Sequence, residues 1–216
     1  VISMLANNNK AIINKLAKNS VKTNKKQYAI LFFTIILSAF MLFCVFTIGM
    51  TYLDSSRLQN TRLNGAEYDI ATMNGFTSEQ LNTLRQNEHV RSVGMESYAG
   101  FIQSTEYDKT VEVGLLWCDE VFWDNLMAPA RTKLDGHYPQ NKNELMVTKD
   151  ILKACGNENL SVGDSLILTY ENNQGVYTDE FIISGIWDGY GDTSAGFVSK
   201  AFYDESGYDL KNNGIL

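Results

Sequence analysis

The chain of 216 residues is long enough for one ordinary domain with a small appendage, and its overall composition resembles that of soluble globular proteins. Its net charge of −7 is divided unevenly along the chain. Residues 1–27 contain six lysines and no acidic residue (+6), whereas the 12 basic and 25 acidic residues from Asp54 onward give −13. We expect no nucleic-acid partner, because the larger, acidic part would repel phosphates.

An uncharged apolar segment, Tyr28 to Leu53, separates the basic part from the acidic part. It exceeds the roughly 20 apolar residues that cross about 30 Å of hydrocarbon. A buried core helix rarely runs this long without a polar face. A cleaved signal peptide would have a shorter apolar region and a small-residue cleavage site, whereas this segment ends with Met50, Tyr52 and Leu53. The sequence therefore predicts an uncleaved transmembrane helix over residues 28–53.

The lysines before this helix predict its orientation in the cell membrane. Basic residues close to a membrane span are retained on the cytoplasmic side. We therefore expect a cytoplasmic N-terminus and an extracytoplasmic large domain. Tyr28 and Tyr52, one at each end of the span, are typical of residues at the membrane interface.

Residues 1–27 are interpreted as a cytoplasmic basic segment whose stretch from Lys10 to Gln27 forms an amphipathic helix. Apolar and small residues recur there at helical spacing, with lysines on the remaining face. This helix could lie along the inner leaflet or dock on a cytoplasmic partner. The alternative is that the lysines act only as an orientation signal. The spaced residues are Ile12, Ile13, Leu16, Ala17, Ser20 and Val21.

The transmembrane helix is predicted to continue as a stalk over residues 54–65, until Asn64-Gly65 ends it. Residues 66–216 follow as a mixed α+β extracytoplasmic domain, because segments with strand-like alternation are interspersed with capped helices. Thr77 is the expected N-cap and Gln80 its capping-box partner. The predicted strands are 66–71, 90–103, 111–117, 144–148, 164–170 and 176–186, with a polar loop at 105–109 and a hairpin turn at 172–175. The predicted helices are 77–87, 119–125 and 149–155.

The cysteines leave two alternatives open. Cys44 lies within the predicted span, so only Cys118 and Cys155 face the exterior. They could form one disulfide, or they could remain two thiols packed as small hydrophobic side chains.

No residue pattern predicts catalysis, and we expect no catalytic, cofactor-binding or metal-binding residue. Neither His89 nor His137 has cysteine or carboxylate neighbours at zinc-ligand spacing. A nucleophile elbow, a Walker A loop and a dinucleotide-binding glycine motif are all absent from the sequence. The acidic residues are scattered, as on an ordinary solvated surface.

Five short segments, taken in order, resemble a known family. They are KLAKNSVK at 15–22 before the apolar helix, LDGHYP at 134–139, NELMV at 143–147, LSVGDSL at 160–166 and FIISGI at 181–186. Gly136 and Pro139 would turn the chain before a strand, Gly163-Asp164 would form a tight turn, and Gly185 would end an apolar strand. Their order and the membrane anchor resemble the first transmembrane helix and extracytoplasmic core domain of FtsX-like, MacB-type ABC transporter permeases.

The resemblance implies a permease with four transmembrane helices and its large external domain between the first and second. Such permeases act as dimers, with a second copy or a homologue, and their ATP hydrolysis takes place on a cytoplasmic ABC ATPase subunit. Closure of the ATPases would bend the stalks and move the external domains. The chain begins with Val1 and ends at Leu216 without a second span, so we expect a partial permease sequence. The family implies export or extraction of a peptide, lipoprotein or drug without choosing among them.

Four apolar residues could contribute to an external ligand groove, although a place in the core is favoured for them. They are Trp117, Phe122, Trp123 and Met127. A different class of function also remains: a single-pass membrane sensor or adhesion protein whose external domain binds a ligand. A membrane-anchored hydrolase is disfavoured because no catalytic constellation is present.

Overall fold

The computed structural model describes residues 10–103, 113–190 and 195–216, and the fold is α+β. The chain divides into two compact units, Val1–Ser56 and Arg57–Leu216. The polar loop predicted at 105–109 lies outside the described residues, as do the first two residues of the strand predicted at 111–117.

Most of the described chain is in regular elements. The helices are α1 (Lys10–Thr23), α2 (Lys25–Asn64), α3 (Ser78–Arg85), α4 (Lys149–Ala154), α5 (Lys200–Glu205) and α6 (Leu210–Asn213), with a π-helical turn at Phe122–Leu126 and a 3-10 turn at Ala128–Ala130. The strands are β1 (Glu96–Ile102), β2 (Val113–Cys118), β3 (Arg131–Gly136), β4 (Glu144–Thr148), β5 (Ser165–Asn172), β6 (Gly175–Gly189), β7 (Gly196–Val198) and β8 (Gly214–Ile215).

The first unit contains α1 and most of α2. Among the described residues, α2 is the one helix long and apolar enough to cross a membrane, with a mean hydropathy of 2.8 over its most apolar 18 residues. None of those 18 residues is buried. Only Asn24 separates the two helices. Its N–H donates to the carbonyl of Ser20, and its own carbonyl accepts from the N–H of Tyr28. The helical hydrogen-bond pattern therefore continues across the junction.

The end of α2 confirms the predicted helix boundary. The helix stops at Asn64, and Gly65 has a φ of +74°. Glycine adopts this left-handed conformation without steric penalty and therefore commonly follows the last helical residue.

The start of α3 confirms the predicted capping box. The Thr77 hydroxyl accepts a hydrogen bond from the N–H of Gln80, and the Gln80 side chain accepts one from the N–H of Thr77. These bonds satisfy two backbone donors that have no partner within the helix. The helix ends at Arg85, two residues before the predicted end at position 87.

Two predicted strands are corrected. Residues 66–71 are irregular rather than extended in a sheet. Their alternation of apolar and polar residues does not bury one face, since Ile70 is 83% exposed. The strand predicted at 90–103 begins only at Glu96, where pairing with β2 starts.

The strands of the second unit close into a ring of hydrogen-bonded neighbours. The order β2-β7-β4-β6-β5-β1 returns to β2 through the antiparallel β1–β2 pair, which confirms the predicted pairing of those two segments. β3 pairs with β6, and β8 pairs with β1. The β2–β7 and β4–β6 pairs are parallel, and the other pairs are antiparallel. This closure leaves few unpaired strand edges.

The predicted hairpin is confirmed, but its second strand is longer than expected. Asn172 pairs with Gly175 across a two-residue loop. Gly185 does not end β6, which continues through Gly189. A Cβ at Gly185 would lie 2.9 Å from the His137 carbonyl oxygen, so the glycine allows the chain after β3 to approach β6 closely.

The second unit has an apolar core made of two clusters of buried side chains. Its largest fully buried hydrophobic side chains come from β2, β4, α4, β5, β6 and β7, and their removal from water is the main favourable contribution to folding. They are Leu115, Leu145, Met146, Val147, Ile151, Leu152, Leu166, Phe181, Ile183, Phe197 and Val198.

Candidate functional site

The last two turns of α2, residues 57–64, belong to the second unit and pack against it. We call them the stalk turns. Thr61 is buried on their inner side, whereas Leu63 and Asn64 are exposed. Ala66, just beyond the helix, is also buried. The end of the helix is therefore fixed to the α+β unit on one face only.

An arginine–tyrosine contact joins the stalk turns to the end of β6. The guanidinium carbon of Arg62 lies 3.9 Å from the ring centroid of Tyr190. A cation over an aromatic face is attracted by the ring quadrupole. The Tyr190 N–H donates to the carbonyl of Ala130, at 3.3 Å, so the same tyrosine is tied to the start of β3. A displacement of Arg62 would therefore act on the end of β6 and on the start of β3.

A second connection runs through Glu67. Its carboxylate accepts a hydrogen bond from Arg57 on the stalk turns, with a 2.9 Å distance between Nη2 and Oε1. Its backbone N–H donates to the carbonyl of Leu126, at 2.7 Å. The ion pair is exposed and contributes little stability by itself. Its geometry still links the helix to the π-helical turn.

The π-helical turn leads into a buried aromatic cluster, defined by Trp123, Tyr138, Trp187 and Phe197. The ring centroids of Trp123 and Phe197 are 5.2 Å apart, and those of Trp187 and Phe197 are 5.5 Å apart. The Arg131 guanidinium carbon lies 4.1 Å from the centroid of Trp123. Desolvation lowers the pKa of Arg131. The π-helical turn that Glu67 contacts is therefore packed against a dense aromatic cluster.

The apolar residues considered for a ligand groove lie mainly in the core. Trp117, Trp123 and Met127 are buried, and Phe122 is partly buried against the aromatic cluster. The Trp117 ring stacks on Tyr203 with centroids 4.9 Å apart. These side chains therefore favour the core interpretation over an open groove.

Cys118 and Cys155 are both free thiols, so the disulfide alternative is not realised. The backbone N–H of Cys118 donates to the Tyr138 hydroxyl oxygen, at 3.0 Å. Burial raises the pKa of the Cys118 thiol and also that of the Tyr138 hydroxyl. Burial likewise raises the pKa of Cys155. The thiols are therefore poor nucleophiles at neutral pH.

Glu96, at the start of β1, is the carboxylate with the most perturbed titration among the described residues. It is paired with Cys118 across the β1–β2 ladder. Burial disfavours its charged form and raises its pKa to about 7. Its charge also raises the pKa of Tyr138. A carboxyl of this kind can act as an acid or base, but no nucleophile with a lowered pKa accompanies it among the described residues.

The two histidines contact other residues. His89 is exposed beside Glu88, and His137 Nδ1 lies 3.0 Å from the Tyr138 carbonyl oxygen. Within the described ranges, no group of three or more His, Cys, Asp or Glu side chains is arranged to hold a metal ion.

No protein-family model matches the chain, and no curated protein matches it. Among solved structures, it is similar to the extracellular domain of the noncanonic ABC-type transporter YknZ from Gram-positive bacteria. That similarity has 16% identity and a TM-score of 0.42, and it covers 65% of this chain and 72% of that domain. The chain is also similar to a domain of a protein named as a permease from Porphyromonas gingivalis. Here the identity is 10% and the TM-score 0.41, with 69% of this chain and 64% of that domain covered. At these values the similarity does not establish a family for this chain.

Sequence reasoning did not find the residues that connect the stalk turns to the sheet. Arg62 and Tyr190 are 128 positions apart, and neither belongs to a motif. One available signal was Arg62 itself, a cation in the last turn of a helix, where it complements the helix dipole. Its aromatic partner depends on the tertiary fold.

Proposed function

We propose that the chain is part of the permease subunit of an FtsX-like, MacB-type ABC transporter. The observation that carries this proposal is that a single helix, α2, contains the apolar segment and also the stalk turns packed on the α+β unit. A receptor that only displayed a binding domain would not need this connection. A flexible linker would be enough to anchor such a domain.

The stalk contacts suggest how movement would reach the external domain. A rotation or tilt of α2 would act on Tyr190 through Arg62 and on the π-helical turn through Glu67. Tyr190 directly follows β6, and the π-helical turn contains Trp123 of the aromatic cluster. β6 in turn pairs with β3, β4 and β5. The external unit would therefore move as one body, because closed sheets with packed cores resist internal deformation.

The proposed arrangement assigns residues 1–27 to the cytoplasm and 28–53 to the membrane. Residues 54–65 form the stalk, and 66–216 form the extracytoplasmic core domain. The basic N-terminal segment supports this orientation, because six lysines precede the span without an acidic residue. A second permease copy or a homologue would complete the membrane part, and the bilayer surrounds it.

The energy source is proposed to be a cytoplasmic ABC ATPase on a separate subunit. The chain itself would do no chemistry. Its work would be to couple ATP hydrolysis to movement that exports or extracts a peptide, a lipoprotein or a drug. No described residue of the α+β unit selects among these substrates.

The proposal is tested by purifying the tagged, full-length gene product from its native membrane in mild detergent. Mass spectrometry identifies the copurified proteins, and an enzyme assay measures ATP hydrolysis. We expect a stoichiometric ABC ATPase and ATP turnover. The control is an equally abundant, unrelated membrane protein with the same tag. If the chain is recovered intact and single-pass, but repeatedly without an ATPase, the account fails and a sensor or adhesion protein takes its place.

A further inference from the structure

One stripe of side chains in the first unit changes from cationic to apolar along its length. Val21, Lys25, Tyr28, Phe32 and Ile35 line a single open groove on α1 and α2. Their spacing of four, three, four and three residues places them on one helix face. All five side chains are exposed. We call this stripe the junction groove.

The Tyr28 side chain forms one side of the junction groove where α1 meets α2. The Tyr28 hydroxyl and the Ser20 hydroxyl are 3.1 Å apart, within hydrogen-bonding distance. The helical hydrogen bonds through Asn24 hold the two helix ends together. The Tyr28 ring therefore has a local partner that orients it along the groove.

The cationic end of the groove lies at the depth of lipid phosphates if residues 28–53 span the bilayer. Lys25 precedes Tyr28 by three residues, or about 4.5 Å of helix rise. The headgroup layer is about 5 to 7 Å thick on each side of the hydrocarbon. Lys25 lines the groove itself, whereas Lys22 and Lys26 lie beside it within the same two turns, and all three are exposed. No acidic side chain occurs before Asp54 to neutralise them.

We infer that the junction groove binds an anionic phospholipid of the cytoplasmic leaflet. The phosphate would contact Lys22, Lys25 and Lys26, and one acyl chain would lie against Phe32 and Ile35. This inference rests on the span and orientation proposed above, and it goes beyond the permease function, which requires no particular lipid.

The charge pattern distinguishes this occupant from the alternatives. A zwitterionic lipid carries an ammonium group that the lysines repel, so it gains less from the same site. A neighbouring transmembrane helix would fill the apolar part but would need acidic residues at headgroup depth to match the lysines. An anionic phospholipid supplies the negative charge and the apolar chain in one molecule, already located at the correct depth.

The test uses the full-length protein in detergent micelles, without any ATPase. Equal amounts of dioleoyl phosphatidylglycerol and dioleoyl phosphatidylcholine are added at 150 mM salt as a working condition of about physiological ionic strength. Native mass spectrometry counts the bound molecules of each lipid. We expect the wild-type protein to retain phosphatidylglycerol preferentially.

Two triple variants with the same change in charge separate a site from general attraction. The first replaces the inner lysines (Lys22→Gln, Lys25→Gln, Lys26→Gln), and the second replaces the outer ones (Lys10→Gln, Lys15→Gln, Lys18→Gln). Each lysine near a lipid surface contributes about fivefold in affinity, so the inner triple variant should lose at least about tenfold of the preference. The outer triple variant should lose less than about threefold.

Three results would overturn the inference. The first is equal binding of the two lipids by the wild-type protein. The second is an equal loss in both triple variants, which would mean diffuse attraction. The third is crosslinking of a benzoylphenylalanine placed at Phe32 to another protein rather than to lipid in the native membrane. None of them depends on an ATPase partner, so this inference and the permease proposal can fail separately.

Discussion

At the scale of single residues, burial changes the pKa of one carboxyl group, that of Glu96. Glu96 is held where its charged form is disfavoured, and its pKa is raised to about 7 from an ordinary value of 4.5. The folded state therefore binds a proton more tightly than the unfolded state between these two pH values. Stability must fall as the pH rises from about 4.5 to about 7, and above that window the full penalty remains.

Replacing Glu96 with glutamine removes this penalty. We expect Glu96→Gln to stabilise the protein at pH 8 by on the order of 1 to 3 kcal/mol, and by much less at pH 5. The measurement is thermal unfolding in detergent micelles, followed by tryptophan fluorescence at both pH values. The exposed Glu180→Gln serves as the control, for which we expect no such difference. A stabilisation by Glu96→Gln that is the same at both pH values would show that its titration is not shifted.

Phe197 is the centre of the aromatic cluster. It is 1% exposed, and its ring contacts those of Trp123, Trp187 and Tyr138. Phe197→Ala should destabilise the second unit by about 3 to 5 kcal/mol, because it leaves a cavity in a close-packed region. Ile167 is 69% exposed, so Ile167→Ala should change stability by less than about 0.5 kcal/mol. Urea unfolding monitored by tryptophan fluorescence compares them, and similar midpoints would contradict the packing described for the cluster.

The capping residues Thr77 and Gln80 could be predicted from sequence because they interact with backbone only three residues away. The contact between Arg62 and Tyr190 could not, since it depends on how distant elements pack. In the same way, the sequence indicated that Cys118 could be a buried thiol, but it did not indicate that the Cys118 N–H would donate to the Tyr138 hydroxyl.

At the scale of elements, long or locally specified segments were the most predictable. The apolar segment in α2, the strand β4 and the β5–β6 hairpin carry their own signals of length, pattern and turn. The strands β3, β7 and β8 were missed. β7 and β8 have three residues or fewer, and β3 is exposed along most of its length. Such strands exist because a neighbour pairs with them, which is information that their own residues do not contain.

The span in α2 has a direct test. Replacing Leu37 with arginine places a charge near the centre of the apolar segment, where insertion becomes less favourable by about 2.5 to 3.5 kcal/mol. We expect a clear loss of protein from the membrane fraction. Gln59→Arg, on the exposed face of the stalk turns, should leave membrane recovery unchanged. Equal recovery of the two variants would argue against a transmembrane helix.

At the scale of the whole molecule, the account requires the basic segment and the α+β unit to lie on opposite sides of the membrane. Single cysteines are introduced at Asn19 and at Gln174 after the three natural cysteines have been replaced. A membrane-impermeant maleimide applied to intact cells should label Gln174→Cys and not Asn19→Cys, because the lysines retain the N-terminus inside. Permeabilised cells provide the control, in which both sites should react. Labelling of Asn19→Cys alone in intact cells would reverse the topology.

The central claim is that nucleotide binding in the cytoplasm causes a movement of the stalk turns, which lie on the other side of the membrane. The most direct measurement is the rate at which a maleimide labels Gln59→Cys in native membrane vesicles that are open to ATP. The rate is compared without nucleotide and after trapping with ATP and vanadate, and Glu180→Cys on the exposed face of β6 is the reference site. We predict that trapping changes the rate at position 59 at least severalfold and leaves the rate at position 180 unchanged. Unchanged rates at both positions, in vesicles whose ATP hydrolysis is inhibited by vanadate, would contradict the coupling that we propose.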